Sequence, residues 1–339
     1  MKAPNLPELV LKYCQDKALF CNGDKVLVAV SGGADSLVLL DCLLAIKQNL
    51  GLELGVGHVD HDLRPESADD AANVKNHAEN LGLAVLVTKV NIWEKAPTKA
   101  TLEQAARGAR YEALQQMARQ FRATKIATGH SQTDQAETVL MRMIRGTGPL
   151  GLGGISPFRK DNVVRPLLSV SRDEIMAWAT AKDLPIREDS TNQDTQYLRN
   201  RIRAELLPLL KTYNPQIESS LAELAEDFQD LGLWLLSQLP ELKQNQDAKV
   251  VITKNQIDQC PPTLRPYMLA AAFHLASGAP LGLSRPHVLT LVDLATGPSS
   301  RQAHLPRRVI AQNVKGDLEL FQDLEGPPPG SARRNSGPN

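Results

Sequence analysis

The feature that most restricts the fold is a short apolar run followed at once by a glycine-rich turn and a helical pattern. Residues 25–30 (KVLVAV) have the continuous apolar character of a strand buried on both faces of a parallel sheet. Residues 31–36 (SGGADS) form the turn, and residues 35–49 have helical spacing. A strand, a tight turn and a helix in immediate succession are typical of an α/β unit.

The same alternation continues along the first half of the chain. Further apolar runs lie at 52–59, 83–90 and 124–128, and the segments 66–82 and 101–121 between them have helical patterns. Strands that alternate with helices predict a doubly wound, Rossmann-like parallel sheet. The fold class is therefore α/β, followed by a helical linker region and a small C-terminal mixed α/β domain.

Changes in composition predict where the domains end. The pattern of the sheet fades in the glycine-rich stretch near residue 150, and a long amphipathic helix is predicted over 215–239. A tail rich in Pro, Gly and Ser that lacks apolar residues is expected to be disordered. The predicted parts are a first domain at 1–150 (alternatively extending to 214), a linker and helical region at 151–247, a small domain at 248–325 and a disordered tail at 326–339.

Composition excludes several classes of protein. No run approaches the roughly 20 apolar residues of a membrane span, so no membrane association is expected, and the first residues lack a signal-peptide pattern. The four cysteines form no CxxC pair, which argues against a disulfide scaffold or a Cys-based metal site and favours the cytoplasm. Residues 95–211 carry 19 basic and 12 acidic side chains within a chain of zero net charge. That excess is compatible with a polyanionic partner or with chance clustering on solvated helices.

The turn at 31–36 has the chemistry of a phosphate-binding loop. Gly32 and Gly33 leave backbone N–H groups unobstructed, Ser31 and Ser36 add hydroxyl donors, and the following helix directs the positive end of its dipole at the loop. The loop contains neither the GK[ST] of a Walker A motif nor GxGxxG. An acid inside a phosphate loop is useful where it meets a cation, so Asp35 is predicted to bind Mg²⁺.

A series of motifs in this order resembles the tRNA(Ile)-lysidine synthetases, a family of N-type ATP pyrophosphatases in the PP-loop superfamily. After SGGADS come HVDHDLRPES at 58–67, ARGARY at 106–111, GHSQTDQAET at 129–138, RGTG at 145–148, RPLL at 165–168, EDSTN at 188–192 and RNRIR at 199–203. Weaker echoes lie in the small domain, LSRPHV at 283–288 and LPRR at 305–308. The resemblance implies the adenine nucleotide alpha-hydrolase type of fold, and it makes the first predicted domain, 1–150, an N-type PP-loop ATP-binding catalytic domain.

The resemblance also implies a reaction. Such enzymes use ATP to adenylate the C2 oxygen of cytidine 34 in the CAU anticodon of tRNA(Ile). L-lysine then displaces AMP to form lysidine, which changes the specificity of the tRNA from methionine to isoleucine. ATP and Mg²⁺ are the expected cofactors, and tRNA(Ile) and L-lysine the expected partners. Members of the family are often dimers, which leaves a homodimer open.

The same resemblance assigns roles to individual residues. Asp35, His130, Asp134, Glu137 and Arg203 are the expected catalytic residues, and Asp134 with Glu137, at i and i+3 on one helix, would receive the lysine ammonium. His130 or a water molecule is the expected base. The tRNA contacts are expected at Arg145, Arg199 and Arg201, although RNRIR could instead form salt bridges with Asp189, Asp194 and Glu205. ATP is expected to contact Ser31, Gly32, Gly33, Ala34, Asp35, Ser36, His58, Asp60, His61, Arg107 and Arg110.

One departure from the family pattern leaves alternatives open. Thr133 stands where the family usually has the first of two adjacent acids, so a contact expected from that acid is in doubt. A tRNA sulfurtransferase and an amidating NAD or GMP synthetase share this type of loop, but the first generally needs catalytic cysteines and the second lacks the HVDHxLR and RNRIR pair. A non-catalytic tRNA-binding protein with a decayed loop is the alternative from another class.

Overall fold

The structure is a computed structural model that describes residues 5–60, 67–90, 99–187, 198–278 and 283–323, with backbone only at 68 and 99–106. His61, the 188–192 motif with Asp189, Asp194 and the predicted disordered tail at 326–339 lie outside the described residues. The chain divides into two compact units, Met1–Ile144 with Gly154–Ala225, and Arg145–Gly153 with Glu226–Asn339. The boundaries drawn above at 150, 247 and 325 stay predictions.

The first unit is built on a parallel five-stranded sheet of order β3-β2-β1-β4-β5. This confirms the α/β class and the four strands expected from apolar runs. The fifth strand was not predicted, because its two residues are too few to show any periodicity. The strands are β1 (Lys25–Ala29), β2 (Glu53–Asp60), β3 (Ala84–Lys89), β4 (Lys125–Ala127) and β5 (Val163–Val164).

Helices cover both faces of the sheet, as the continuous apolar strands require. Val26 and Val28 of β1 face a core formed with the apolar sides of α1, α2 and α7, whereas Leu27 faces a second core with α4. The helices of this unit are α1 (Leu6–Asp16), α2 (Ala34–Leu50), α3 (Ser67–Asn80), α4 (Lys99–Phe121), α5 (Gln132–Arg145), α7 (Arg172–Ala181), α8 (Leu198–Arg201), a π-helical turn (Ile202–Leu206) and α9 (Leu207–Tyr213). The short helix α6 (Pro149–Leu152) belongs to the second unit.

The second unit contains a separate antiparallel sheet of order β6-β9-β8-β7, whose apolar side packs against helices. The sequence predicts this small mixed domain without its topology. The long helix α10 lies at Ile217–Ser237, close to the predicted 215–239. The remaining elements are β6 (Val250–Ile252), α11 (Lys254–Gln259), α12 (Arg265–Ser277), α13 (Arg285–Thr296), β7 (Gln302–Leu305), a 3₁₀ turn (Pro306–Arg308), β8 (Val309–Val314) and β9 (Asp317–Gln322).

None of the helices in the described part of the chain combines the length and the apolar character that a membrane crossing requires.

Candidate active site

The loop between β1 and α2 is closed by its own hydroxyl groups. Ser36 Oγ donates to the carbonyl of Gly33 at 2.8 Å and accepts from the backbone N–H of Ser31 at 3.1 Å. Gly32 has φ +92°, a conformation in which a side chain would be strained. Ala34 is buried as the first residue of α2, so the loop meets the positive end of the helix dipole. The loop therefore has a fixed shape and donor groups suited to a phosphate.

Asp35 has one carboxylate oxygen in weak contact and one buried without a partner. Its Oδ2 lies 3.4 Å from Nη1 of Arg172, at the start of α7, whereas Oδ1 is buried with no hydrogen bond. Burial, reinforced by Asp134, raises the pKa of this carboxyl group, although Arg172 and Arg203 oppose the shift. A buried carboxylate oxygen without a hydrogen-bond donor, such as Oδ1 of Asp35, is suited to contact a cation. The described residues contain no cluster of three or more His, Cys, Asp or Glu side chains able to hold a metal. A magnesium ion here would therefore need oxygen atoms from phosphate groups and water.

Two of the residues expected to contact ATP lie at the end of β2, beside the loop. His58 is buried, and its Nδ1 lies 2.8 Å from the carbonyl oxygen of Val30, the residue that leads into the loop. Asp60 is also buried at the end of the strand. Because Nδ1 of His58 bonds the backbone of the neighbouring strand, this imidazole joins the end of β2 to the start of the loop.

The acidic pair on α5 is bound by two arginines. Glu137 is fully buried, and its two carboxylate oxygens accept from Nε of Arg199 at 2.7 Å and Nε of Arg203 at 2.5 Å. Asp134 accepts from Nη2 of Arg199 at 2.5 Å and from the backbone N–H of Ser131 at 2.9 Å. Two carboxylates and two guanidinium groups thus form one neutral network, the Asp134–Glu137–Arg199–Arg203 cluster.

The cluster fixes the protonation of its neighbours. Burial alone would raise the pKa of Asp134, but Arg199, His130 and the N–H of Ser131 outweigh it, so the pKa is lowered. Burial and the nearby Arg165 lower the pKa of His130, whose Nδ1 lies 3.1 Å from Oγ1 of Thr128. At neutral pH Asp134 is therefore ionised and His130 is a neutral imidazole of low basicity.

The segment that carries RNRIR separates its three arginines. Arg199 and Arg203 reach the acidic pair, whereas Arg201 is exposed and lies 3.8 Å from Glu205. The π-helical turn that begins at Ile202 is a local departure of the kind often found at functional sites. The structure thus places Arg199, expected at the tRNA, in the same cluster as Arg203. Arg145 is exposed at the last position of α5.

Arg107 and Arg110 lie around a buried tyrosine. Their guanidinium carbons are 5.7 and 5.6 Å from the centre of the Tyr111 ring, and Arg159 lies at 4.3 Å. Burial would raise the pKa of Tyr111, but Arg165, Arg107 and Arg110 outweigh it and the pKa is lowered. Arg107 and Arg110 of α4, together with Arg159 before β5 and Arg165 after it, therefore create a strongly positive field around Tyr111.

The side chain of Thr133 bonds residues outside the Asp134–Glu137–Arg199–Arg203 cluster. Its Oγ1 donates to Oε2 of Glu218 at 2.8 Å and accepts from the backbone N–H of Arg172 at 3.1 Å. The other oxygen of Glu218 lies 3.0 Å from Nζ of Lys211. Thr133 therefore links α5 to the starts of α7 and α10.

Sequence reasoning missed several residues of this site. Arg172 follows Ser171, which is the N-cap of a capping box with Glu174. The Ser-x-x-Glu pattern indicates that a helix begins there, but it does not indicate that Arg172 approaches Asp35. Gly129 opens the 129–138 motif, but its sequence context does not predict a contact with the loop. A Cβ at that position would lie 2.9 Å from the carbonyl oxygen of Asp35, so the glycine permits the close approach of the β4 end to the loop.

The family model and the curated relatives that match this chain point to the same family of PP-loop proteins. A family model described as a PP-loop domain matches residues 8–210. The tRNA(Ile)-lysidine synthase of Dehalococcoides mccartyi is 34% identical over 91% of this chain and 68% of its own length. Those of a Nostoc strain and of Geobacter sulfurreducens are each 36% identical, over 92% and 96% of this chain and 95% and 71% of their own lengths.

Among solved structures, the U34-tRNA thiolase NcsA of Methanococcus maripaludis, determined with its [4Fe-4S] cluster, is similar in fold. The TM-score is 0.56 at 18% sequence identity, covering 69% of this chain and 80% of the thiolase. At this identity the similarity supports the parallel sheet with its flanking helices.

Proposed function

We propose, because this chain belongs to the tRNA(Ile)-lysidine synthase family of PP-loop proteins, that the cluster beside its phosphate loop carries out the lysidine reaction. The enzyme is an ATP-dependent ligase that modifies tRNA(Ile). It adenylates the C2 oxygen of cytidine 34, and the ε-amine of L-lysine then displaces AMP. The carbonyl oxygen of cytosine is a very poor leaving group, and its conversion to a phosphoester makes the substitution feasible.

The observation that carries the proposal is the convergence of three carboxylates where β1 and β4 end. Asp134 and Glu137 both raise the pKa of Asp35, so the loop acid and the buried acidic pair interact electrostatically. Ligands bind at the carboxyl ends of strands in open α/β sheets. A phosphate loop and an acidic pair at one edge can hold a nucleotide and an amine against the same acceptor.

ATP is assigned to the loop and its neighbours. Backbone N–H groups of the loop and the hydroxyl group of Ser31 bind phosphate oxygens, and the hydroxyl group of Ser36 does so once it turns from the carbonyl of Gly33. The β2 end with His58 and Asp60 lines the adenine side. Asp35 would hold Mg²⁺, which neutralises phosphate charge when bound. Arg107 and Arg110 supply positive charge from α4.

The acidic pair is assigned to lysine. In the cluster the carboxylates of Asp134 and Glu137 are shared with Arg199 and Arg203. A guanidinium group pairs with phosphate as readily as with carboxylate. We expect Arg203 to turn towards the α-phosphate when ATP binds, which exposes carboxylate charge to the incoming ammonium group.

The base that deprotonates lysine is assigned to water. The lowered pKa of His130 makes its imidazole a weak acceptor for a proton from an amine whose ordinary pKa is about 10.4. His130 instead serves as a neutral hydrogen-bonding group beside Asp134. We place the reaction in the cytoplasm, where reduced Cys14, Cys21, Cys42 and Cys260 are stable. A homodimer is compatible with this function.

The test is a pyrophosphate-release assay with ATP, Mg²⁺, L-lysine and an in vitro transcript of tRNA(Ile) bearing CAU. We expect release that requires lysine and is lost with the C34→U transcript, together with transfer of radiolabelled lysine to the tRNA. Lysine-independent release would indicate a sulfurtransferase or another adenylating relative. Absence of release with every transcript would indicate a non-catalytic tRNA-binding protein.

A further inference from the structure

The turn between β7 and β8 has an unusual backbone for its sequence. Arg307 has φ +60° and ψ +29°, and Arg308 has φ +61°. Both residues occupy the left-handed region, which costs free energy for any residue with a Cβ and for which glycine is the usual choice in short hairpin loops. Two successive arginines there are a departure from local preference that needs a reason.

The turn is held firmly by its surroundings. Leu305 pairs with Val309 across the hairpin, which fixes a three-residue loop between them. Nε2 of Gln322 donates to the carbonyl of Arg307 at 3.0 Å, and the N–H of Asp323 donates to the carbonyl of Arg308 at 2.9 Å. These bonds use backbone carbonyl groups alone, so glycine at both positions would keep them. The shape of the turn therefore does not explain the arginine side chains.

The ion pairs described in this unit are formed by lysines. Glu319 pairs with Lys249 at 3.2 Å, and Asp258 pairs with Lys254 at 3.0 Å. Within the described residues, neither Arg307 nor Arg308 forms an ion pair. Arg307 is exposed, and Nε of Arg308 is buried without a hydrogen-bond partner. A guanidinium group with an unsatisfied buried donor, beside an exposed one, is suited to an anion from outside the chain.

We propose that the Pro306–Arg308 turn binds the phosphate backbone of the tRNA. This rests on the proposed function, which makes an RNA the macromolecular substrate. Guanidinium forks bind phosphate oxygens in bidentate fashion, and such contacts position an RNA without reading its bases. The strained turn presents two adjacent guanidinium groups from a hairpin whose backbone is held by hydrogen bonds.

The test compares three proteins as full chains: the natural protein, Arg307→Gly/Arg308→Gly, and Lys315→Gly as the matched control. Lys315 also has positive φ (+55°), is cationic and lies in the β8–β9 turn of the same sheet. Binding of the tRNA(Ile) transcript is measured by fluorescence anisotropy at several salt concentrations, with the melting temperature recorded for each protein.

We expect the double glycine variant to bind tRNA about tenfold more weakly, with a log K against log salt slope reduced by about 1 to 2. Its melting temperature should stay the same or rise, because glycine relieves the left-handed backbone. The control should bind tRNA as the natural protein does. Unchanged affinity and salt slope in the double variant, with lysidine still formed, would overturn this inference alone. Natural protein that neither binds tRNA nor transfers lysine would overturn the proposed function.

Discussion

Thr133 and Glu218 are joined by a buried hydrogen bond of 2.8 Å between residues 85 positions apart. Lys211 neutralises Glu218, and the backbone N–H of Arg172 donates to the hydroxyl group of Thr133. The Thr133 hydroxyl therefore connects the start of α10 with the start of α7. Arg172, at the start of α7, is also the residue that approaches Asp35. A carboxylate already occupies the space that a second acid at position 133 would face. The departure from the family pattern at position 133 therefore coincides with a buried carboxylate, that of Glu218, on another element.

The first prediction concerns the replacement Thr133→Asp, which restores the usual acid. We expect it to lower the free energy of unfolding by about 3 kcal/mol, because a second buried carboxylate would face Glu218 with one lysine between them. Urea denaturation at pH 7 measures the effect. Thr133→Ser is the control and should cost about 1 kcal/mol or less. An aspartate variant as stable as the natural protein would contradict this account of the Thr133–Glu218 contact.

The second prediction concerns the fully buried carboxylate of Glu137. Glu137→Gln should destabilise the protein by about 3 to 5 kcal/mol, because the amide leaves the Arg199 and Arg203 guanidinium groups partly unpaired. It should also abolish lysine transfer. Glu205→Gln breaks an exposed arginine pair on the same helical segment and should cost about 0.5 kcal/mol or less. Chemical denaturation with lysine-transfer assays on both variants makes the comparison. Equal effects would show that burial of the cluster is unimportant.

The fold could be predicted where local pattern decides structure. The strand before the loop, with Val26 and Val28 fully buried, is continuous in apolar character, and Gly32 with its positive φ sits at the expected turn. β5 could not be predicted, because two residues are too few to show a repeating pattern of apolar side chains. The strand is defined by its pairing with β4. Tertiary contacts supply the stability that its local sequence lacks.

The candidate site could be predicted in its residue types but not in its pairings. The spacing of Asp134 and Glu137 places both on one face of a helix, and the structure keeps them together. Nothing in RNRIR distinguishes Arg199, which binds Glu137, from Arg201, which faces solvent, because that depends on how the segment docks onto α5. The contact of Arg172 with Asp35 spans 137 positions and is equally invisible in local pattern.

The third prediction concerns pH. The pKa of His130 is lowered from 6.5 in the folded protein, chiefly by burial. Below about pH 6.5 the unfolded chain therefore binds a proton at this histidine, whereas the folded chain does not. This contribution to stability is present at neutral pH and is lost as the pH falls. His130→Asn should therefore lose less stability than the natural protein between pH 7 and pH 5, by about 2 kcal/mol. Melting curves at both pH values test this, with exposed His304→Asn as the control. The same pH dependence in both variants would contradict the assignment.

The fourth prediction concerns the thiols. Burial raises the pKa of Cys14 and of Cys42 to about 12, and Cys260 is also buried, whereas Cys21 is exposed. Since the thiolate is the reactive form, native protein should label rapidly at Cys21, and denatured protein at all four cysteines. Mass spectrometry after brief treatment with iodoacetamide counts the labels. Cys21→Ser should abolish the rapid phase, and a remaining fast thiol in that variant would show that a buried cysteine is accessible.

The last prediction separates the arginines of RNRIR by their chemistry. Arg203→Gln should reduce lysine transfer by at least a hundredfold, or about 2.7 kcal/mol of transition-state stabilisation, because its guanidinium group pairs with the acidic pair and also acts electrostatically on Asp35. Arg201→Gln removes the same charge from an exposed position two residues away and should change kcat by less than about threefold. Because both variants lower the net charge equally, a shared loss of activity would point to tRNA attraction by the whole segment. A loss confined to Arg203→Gln, expressed in kcat more than in the KM for tRNA, is the result that the cluster geometry requires.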